Sequence, residues 1–197
     1  MLELRNLTKK FGDITAVDSL NFRVEKGEVF GLLGENGAGK TTTLRMLATM
    51  LKPSSGTAEL AGIDVKEEPE KVREHIGILF GGETGLYDRL TVYENIAYFG
   101  QLNDMKSSTI KERVQHLSKV FGMEEYISRR ASKLSKGMKQ KVAFARAIVH
   151  NPDIMLFDEP TSGLDVSAIR NVHDFIKDCK QQGKTIIFSS HSMSEVE

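Results

Sequence analysis

The sequence predicts an α/β fold with a mostly parallel sheet, an N-terminal antiparallel β subdomain and an inserted helical subdomain. Short strand patterns separated by turn signals fill residues 1–80, and helical periodicity dominates from Thr91 onward. Strand and helix patterns alternate again after residue 153. Such alternation is typical of a sheet whose strands run mostly parallel.

The first 80 residues carry strand patterns with turn residues between them. Apolar and polar side chains alternate from Leu2, and Gly12 and Gly27 lie in turn sequences. A helical segment at residues 44–51 ends before Pro53, because proline cannot continue a helix. The predicted strands are residues 2–7, 21–24, 28–33, 57–60 and 76–80.

The middle of the chain carries helix signals. Thr91 and Glu94 have the spacing of a capping box, in which two side chains bond free backbone N–H groups at a helix start. Apolar residues then recur on one helical face, at Ile110, Val114, Leu117 and Phe121. A helical subdomain is therefore expected in this part of the chain.

The last part of the chain returns to the strand and helix pattern. Predicted strands at residues 154–157 and 185–189 flank a helix at residues 166–182, which Gly183 closes. A second capping box, at Ser192 to Glu195, opens a helix inside which the sequence ends. We therefore expect the natural protein to continue beyond Glu197.

The length of 197 residues suits one compact domain. We expect a single domain over residues 1–197. Its core and β subdomain are predicted at residues 1–82 and 151–197, and the helical subdomain at residues 83–150.

Composition argues against several classes of protein. The 27 Lys and Arg residues balance the 27 Asp and Glu residues, so the chain lacks the overall positive charge of a non-specific nucleic-acid binder, and no nucleic-acid partner is expected. The single cysteine, Cys179, argues against disulfides or structural zinc and suits a reducing cytoplasm. No apolar run approaches the roughly 20 residues that span a bilayer, so membrane association is expected to come through a partner.

A phosphate-binding pattern lies between a predicted strand and a predicted helix. Residues 34–41, Gly-Glu-Asn-Gly-Ala-Gly-Lys-Thr, fit G-x-x-x-x-G-K-[ST], the P-loop pattern. Glycines let backbone N–H groups approach the phosphates, Lys40 adds positive charge, and the Thr41 hydroxyl is a ligand for Mg²⁺. The alternative, a glycine-rich turn with an incidental lysine, leaves the combination of strand, motif and helix unexplained. The predicted nucleotide-binding residues are Gly34, Glu35, Asn36, Gly37, Ala38, Gly39, Lys40, Thr41 and Thr42.

Two acids follow the apolar strand at residues 154–157. The carboxyl ends of parallel strands are where α/β sheets bind ligands. Asp158 is expected to hold Mg²⁺ through its water shell, and Glu159 is expected to take a proton from an attacking water. An apolar run that ends in two acids can also be a strand before a solvated turn, but its occurrence after a P-loop favours the functional interpretation.

Several motifs resemble those of one family when they are taken in order. Residues 134–140, Leu-Ser-Lys-Gly-Met-Lys-Gln, resemble the LSGGQ signature of ABC ATPases. Residues 162–165 resemble the D-loop, Ser190-His191 resembles the switch histidine, and Phe11 lies where the family has an aromatic residue that stacks on adenine. Each of these signals also has a simpler interpretation when it is taken alone. The signature match suits a Ser-capped helix start, His191 suits a surface histidine, and Phe11 suits a core aromatic residue. Together the motifs cover nearly the whole chain, which is similar to an ABC transporter ATP-binding subunit.

The resemblance implies a RecA-like P-loop NTPase core that works as an ATP-dependent dimer. ATP is then held between the P-loop of one subunit and Ser135 and Gly137 of the other, while Glu159 and His191 align the attacking water and Lys40 stabilises the transferred phosphoryl group. The implied cofactors are ATP and Mg²⁺. The implied partner is a transmembrane permease subunit, on the cytoplasmic face of the plasma membrane.

Two segments depart from the family pattern. Lys136 and Met138 replace usual signature residues but leave Ser135 and Gly137 in place, so activity is expected to survive. The family usually has a metal-contacting Gln before the helical subdomain, where Gly81 aligns here; either water completes the metal shell or Glu83 reaches it. Residues 80–88, together with Ser-Lys-Gly-Met-Lys-Gln at residues 135–140, look most like bacterial sodium-efflux exporters of the ABC-2-type branch. This likeness implies export of a substrate, with sodium ions as the candidate.

Two other functions remain as alternatives at this stage. ABC-type ATPases of DNA repair or chromosome maintenance carry long coiled coils or zinc modules between P-loop and signature, and this chain has neither heptads nor a cysteine there. A nucleotide switch that does not transport, such as a GTP switch, would need a guanine-reading Asn-Lys-x-Asp motif, which is also missing from the sequence. Nucleotide preference and copurification of a multi-span membrane protein would separate the three functions.

Overall fold

A computed structural model of the protein describes residues 1–80 and 85–191. The predicted capping box at Ser192 and Glu195 lies outside the described residues, as do Gly81 and Glu83. The chain divides into two compact units. The first unit comprises Met1–Ile78, Asp153–Glu159 and the residues from Cys179 onward, and the second comprises Leu79–Pro152 and Pro160–Asp178.

The described elements alternate between strands and helices over much of the chain. Two short 3₁₀ turns, Glu124–Tyr126 and Ala131–Lys133, lie between helices of the second unit. In chain order the strands and helices are β1 (Leu2–Phe11), β2 (Ile14–Val24), β3 (Val29–Leu33), α1 (Lys40–Leu47), β4 (Ser55–Leu60), β5 (Ile63–Asp64), α2 (Pro69–His75), β6 (Ile76–Leu79), α3 (Val92–Leu102), α4 (Ser107–Val120), α5 (Lys136–Ile148), β7 (Ile154–Asp158), α6 (Val166–Gln181) and β8 (Thr185–Ser190).

One sheet of the first unit is antiparallel, with strand order β2-β1-β4-β5. Leu4 pairs with Phe22 and Leu7 with Leu20, so β1 contains one more residue than β2 over this stretch. That bulge coincides with Asn6, whose φ is +50°. It explains why Leu4 and Leu7 are both buried although three positions separate them, which strict strand alternation does not allow.

The other sheet of the first unit has the order β3-β8-β7-β6, and β8 runs parallel to both β3 and β7. Every residue of β7 and β8 is buried, as expected for central strands of a parallel sheet. Leu33 pairs with Ser190, and Asp158 pairs with Ser189. The carboxyl ends of three neighbouring strands therefore meet at one edge of the sheet. The predicted α/β fold class, with its antiparallel N-terminal sheet, is confirmed.

The second unit is helical. Its core includes a cluster of three aromatic rings, Phe121, Phe144 and Phe175, whose centroids lie 5.2 to 5.6 Å apart. The predicted capping box opens α3, where the Thr91 hydroxyl accepts from the Glu94 N–H, and the Thr91 N–H donates to the Glu94 carboxylate and lowers its pKa. In the described part of the chain, no helix combines the length and apolarity needed to cross a bilayer.

Element boundaries differ from the sequence prediction in several places. β2 begins at Ile14, not at residue 21, because bulges interrupt the alternation on which the prediction depends. The helix after the P-loop spans Lys40–Leu47, not residues 44–51, and α2 is absent from the prediction because only Val72 of this short helix is buried. Residues 160–178, placed in the core by the sequence, belong to the second unit. The organisation as one domain with a helical subdomain at 83–150 stays a prediction.

Candidate nucleotide-binding site

The loop after β3 turns directly into α1. Gly39 precedes the helix with φ of +83°, a conformation that suits glycine. A Cβ atom at this position would lie 2.4 Å from the carbonyl oxygen of Ala16 in β2, so a larger residue does not fit. Because the N-cap residue is a glycine, it offers no side chain to bond the free N–H groups of the first helical turn. Those groups remain available to an anion.

A cavity of about 130 Å³ lies against this loop. Its lining is formed largely by the P-loop and the first turn of α1, together with one residue from each of two other segments. The lining residues are Ala16, Asn36, Gly37, Ala38, Gly39, Lys40, Thr41, Thr42 and Glu159. The structure thus brings seven of the predicted P-loop residues to one cavity, and Glu159 with them.

The remaining P-loop residues hold Lys40. Its ammonium group donates hydrogen bonds to the carbonyl oxygens of Gly34 and of Glu35, the second at 2.9 Å. These bonds keep the positive charge of Lys40 beside the loop. A bound phosphate would meet an ammonium group that is already positioned by the backbone.

Thr41 and Asp158 form a compact set of oxygen ligands. The Thr41 Oγ1 lies 3.0 and 2.8 Å from the two carboxylate oxygens of Asp158, which is buried. A hydroxyl and a carboxylate suit Mg²⁺, which prefers oxygen ligands and usually combines one or two carboxylates with phosphates and waters. No cluster of three or more His, Cys, Asp or Glu side chains that could hold a metal occurs within residues 1–80 and 85–191. The Thr41 hydroxyl and the Asp158 carboxylate fit a cation whose other ligands come from a bound nucleotide and water.

Glu159 follows Asp158 in an unusual backbone conformation. Its φ is +49°, in the left-handed region that residues with a side chain rarely adopt. The Glu159 N–H donates to the Ser189 Oγ at 3.0 Å, and His191 Nδ1 lies 3.5 Å from Glu159 Oε1. A carboxylate at the cavity wall with a histidine beside it can accept a proton from a water molecule in the cavity.

Phe11 ends β1 at the turn into β2. The residue is 48% exposed, and Lys9 Nζ lies 5.0 Å from the centroid of its ring. Phe11 is not among the cavity-lining residues. Its exposed face is available to stack on a planar ligand.

Ser135 and Gly137 lie in the second unit, at the start of α5. Ser135 is the N-cap residue, and its Oγ accepts from the Met138 N–H at 3.3 Å. Gly137 is in the first turn of the helix, where backbone N–H groups lack a partner within the helix. The start of α5 therefore has the features of an anion-binding helix terminus.

Two residues at the first-unit site are missing from the sequence-based set. Ala16 contributes its backbone to the close approach at Gly39, and Ser189 contacts both Asp158 and Glu159. The sequence signal for Ser189 is a polar residue at the end of an otherwise apolar strand, which alone does not distinguish a site residue from a strand terminus.

Comparisons with known proteins agree with this geometry. The ABC transporter family model matches residues 17–162. The ABC transporter ATP-binding protein NatA of Bacillus subtilis is 51% identical over 201 residues, covering 100% of this chain and 82% of that protein. The probable multidrug ABC transporter ATP-binding protein YbhF of Escherichia coli is 40% identical over 197 residues, covering 100% of this chain and 34% of that protein.

A solved structure shares the whole fold. The dimeric structure of the ATP-binding cassette MJ0796, in a post-hydrolysis state bound to ADP and Pi, superposes with a TM-score of 0.91 at 29% identity. The match covers 99% of this chain and 90% of that chain. The family model covers more than half of the sequence and the relatives align along its full length, so the chain belongs to the ABC transporter family.

Proposed function

We propose that this chain is the ATP-binding and ATP-hydrolysing subunit that powers export of a substrate through a separate membrane subunit. The observation that carries the proposal is the meeting of the P-loop and Glu159 at one cavity, with Asp158 within hydrogen-bond distance of Thr41 in the cavity wall. In the proposed mechanism these residues supply the phosphate-binding, metal-binding and proton-accepting groups. Membership of the ABC transporter family supports the coupling of hydrolysis to transport.

Phosphate binding depends on the loop and the start of α1. The free N–H groups of the first turn of α1 donate hydrogen bonds to the negatively charged phosphates. The Lys40 ammonium group binds the oxygens of the β- and γ-phosphates. The remaining loop residues shape this cradle, and Phe11 stacks on the adenine ring.

Thr41 and Asp158 are the residues that would hold Mg²⁺. Bound there with the nucleotide, Mg²⁺ would neutralise charge on the β- and γ-phosphates. The hydroxyl of Thr41 and the carboxylate of Asp158 are already within hydrogen-bond distance of each other, so both oxygens face one small volume.

In the proposed hydrolysis of ATP, Glu159 acts as the general base. A water oxygen attacks the γ-phosphorus, the bond from that phosphorus to the β–γ bridging oxygen breaks, and ADP and phosphate are the products. Glu159 takes a proton from the attacking water, and His191, 3.5 Å from the Glu159 carboxylate, helps to align that water. Lys40 stabilises the negative charge of the transferred group.

The active site is completed by a second copy of the chain. Ser135 and Gly137 of that copy meet the γ-phosphate at the N-terminus of α5, where negative charge is favoured. The similar MJ0796 cassette is a dimer in its structure with ADP and Pi, which supports this arrangement. The dimer works against a transmembrane permease subunit at the cytoplasmic face of the plasma membrane, and the likeness of residues 80–88 to sodium-efflux exporters makes sodium ions the first substrate to test.

The test is to replace Glu159 with glutamine in the intact protein with its membrane partner. Glu159→Gln keeps size and hydrogen bonding but removes basicity, so phosphate release is expected to fall by about 10²- to 10⁴-fold. ATP binding should persist, and an ATP-bound dimer should accumulate on size-exclusion chromatography. Glu68→Gln, on the surface before α2, is the matched control. A wild-type protein that hydrolyses no ATP would overturn the proposed function, and normal turnover in Glu159→Gln would remove Glu159 from the mechanism.

A further inference from the structure

We infer that Ser189 is a positioning residue for ATP hydrolysis, whose buried hydroxyl orients Asp158 and fixes the backbone that carries Glu159. The inference rests on the proposed function, because it concerns the same site. It assigns a role to a residue outside the motifs by which the family resemblance is established.

The parallel pairing of β7 with β8 places Ser189 directly opposite Asp158. Ser189 Oγ lies 2.6 Å from Asp158 Oδ1, and the Glu159 N–H donates to the same Oγ at 3.0 Å. Ser189 is fully buried. One hydroxyl therefore contacts both of the acidic residues at the end of β7.

The direction of each bond follows from the groups involved. An ionised carboxylate can only accept, and a backbone N–H can only donate. The single proton of the Ser189 hydroxyl must then go to Asp158, while a lone pair of its oxygen receives the Glu159 N–H. Alanine at this position would leave the partly buried Glu159 N–H without this acceptor and Asp158 without this donor.

Each acid depends on Ser189 for a different reason. Asp158 is held from two sides, by Thr41 in α1 and by Ser189 in β8, so its carboxylate has one defined orientation. Glu159 has φ of +49°, and such conformations persist only where the surroundings hold them. The hydrogen bond from the Glu159 N–H to Ser189 Oγ fixes the orientation of the peptide group that joins Asp158 and Glu159.

Loss of this hydroxyl should affect turnover more than binding. A displacement of about 1 Å in a catalytic group can cost about 10²-fold in rate. We expect Ser189→Ala to lower kcat for ATP hydrolysis by about ten- to a hundredfold. The KM for ATP should stay within about threefold, because Lys40 and the free N–H groups of α1 are untouched.

Thr185→Val is the matched control. Thr185 lies in the same strand and is also buried, and its hydroxyl also accepts a backbone N–H, from Gly27 at 3.0 Å. Four positions separate the two residues, which is about 13 Å along a strand. Both variants remove one buried hydroxyl that accepts a backbone N–H, so both should lower the thermal unfolding temperature, but only Ser189→Ala should lower kcat.

The experiment measures kcat, KM and thermal unfolding of the wild type and both variants, in the intact protein with its membrane partner. A kcat for Ser189→Ala within twofold of the wild type, or an equal loss in Thr185→Val, overturns the inference and leaves the proposed function standing. A wild type without ATPase activity overturns both. If Ser189→Ala is unfolded at the assay temperature, Ser189→Cys, which has a similar size and only a weak S–H donor, is measured in its place with the same expectation.

Discussion

The side-chain oxygen of Thr41 lies 3.0 and 2.8 Å from the two carboxylate oxygens of Asp158, although 117 positions separate the residues in the sequence. This contact joins the first turn of α1 to the end of β7. It places a hydroxyl from the phosphate-binding loop beside a buried carboxylate. The pair is the part of the site best suited to a divalent cation.

Removal of the Thr41 hydroxyl should lower the affinity of the site for Mg²⁺. Thr41→Val keeps the volume of the side chain but lacks the oxygen, so the Mg²⁺ concentration for half-maximal ATPase activity should rise by at least about tenfold, the effect of losing a ligand interaction of about 1.4 kcal/mol. Thr41→Ser keeps the hydroxyl and is expected to behave like the wild type. An unchanged Mg²⁺ requirement in Thr41→Val would exclude Thr41 as a metal ligand.

A mixing experiment tests whether the active site is shared between two chains. Lys40→Ala and Ser135→Arg should each be inactive as homodimers, because both sites of each dimer carry a lesion. In a symmetric mixed dimer, one site has both lesions and the other combines the intact P-loop of one chain with the intact start of α5 of the other. Phosphate release should therefore reappear on mixing.

Random pairing sets the expected size of this recovery. About half of the dimers are mixed and one of their two sites is intact, so about a quarter of wild-type activity is expected, or less if both sites must act together. Each variant mixed with the wild type controls for subunit exchange. Exchange without any recovery in the Lys40→Ala and Ser135→Arg mixture would show that each site is completed within one chain.

Asn95 should contribute strongly to the stability of the helical unit. This fully buried residue accepts from the Tyr87 N–H at 2.8 Å and donates to the carbonyl oxygens of Thr91 and Tyr87 at 2.9 and 3.1 Å. Asn95→Ala leaves these backbone groups without their side-chain partner and should lower the free energy of unfolding by about 1–3 kcal/mol.

Urea denaturation measures this difference. Asn103→Ala is the matched control, because Asn103 is only partly buried and its side chain donates one bond, to the Phe99 carbonyl oxygen at 2.8 Å. Its loss should cost about 1 kcal/mol or less. Equal destabilisation by the two variants would contradict the role given to Asn95.

The ion pair of Asp153 and Lys184 should make part of the stability pH-dependent. Lys184 Nζ lies 3.0 Å from Asp153 Oδ1, and this hydrogen bond lowers the pKa of Asp153 below its ordinary value of 3.8. A lowered pKa stabilises the folded protein above the pKa of the unfolded state, and the effect disappears as the pH falls through the folded-state pKa. The stability advantage over Asp153→Asn should thus be present above about pH 5 and shrink towards pH 3.

The size of this effect is limited by solvent. The Asp153 side chain is 71% exposed, so screening keeps the contribution below about 1 kcal/mol. Denaturation curves of the wild type and Asp153→Asn at several pH values between 3 and 7 measure it. A difference that stays constant over this range would show that the pair does not contribute through ionisation.

Much of the site could be predicted because its signals are local. Residues 34–41 contain the glycines, Lys40 and Thr41 in one continuous motif, and the apolar strand before Asp158 marks the position of the acids. The capping box at Thr91 and Glu94 is likewise a pattern of four residues, and the structure contains it. Such features depend on backbone geometry over a few residues, which sequence alone can specify.

Other features depend on contacts between distant residues. The extent of β2 and the bulge at Asn6 follow from pairing with β1, and they break the alternation from which strands are predicted. α2 buries only Val72, so its sequence has little periodicity. For β2 the pairing with β1 decides the extent of the strand, and local preference is a weak guide.

By itself, the sequence determined the α/β class and predicted a phosphate-binding loop and two acids at a strand end, because each is encoded by residue types at fixed short spacings. Only the tertiary structure decided that Thr41 and Ser189 bond the same carboxylate and that Ser189 also holds the Glu159 backbone. The Ser189 contacts depend on the parallel register of β7 and β8, and elsewhere in the site Gly39 approaches Ala16 of β2 closely. Register and close approach are set by the packing of segments far apart in the chain, and no local pattern specifies them.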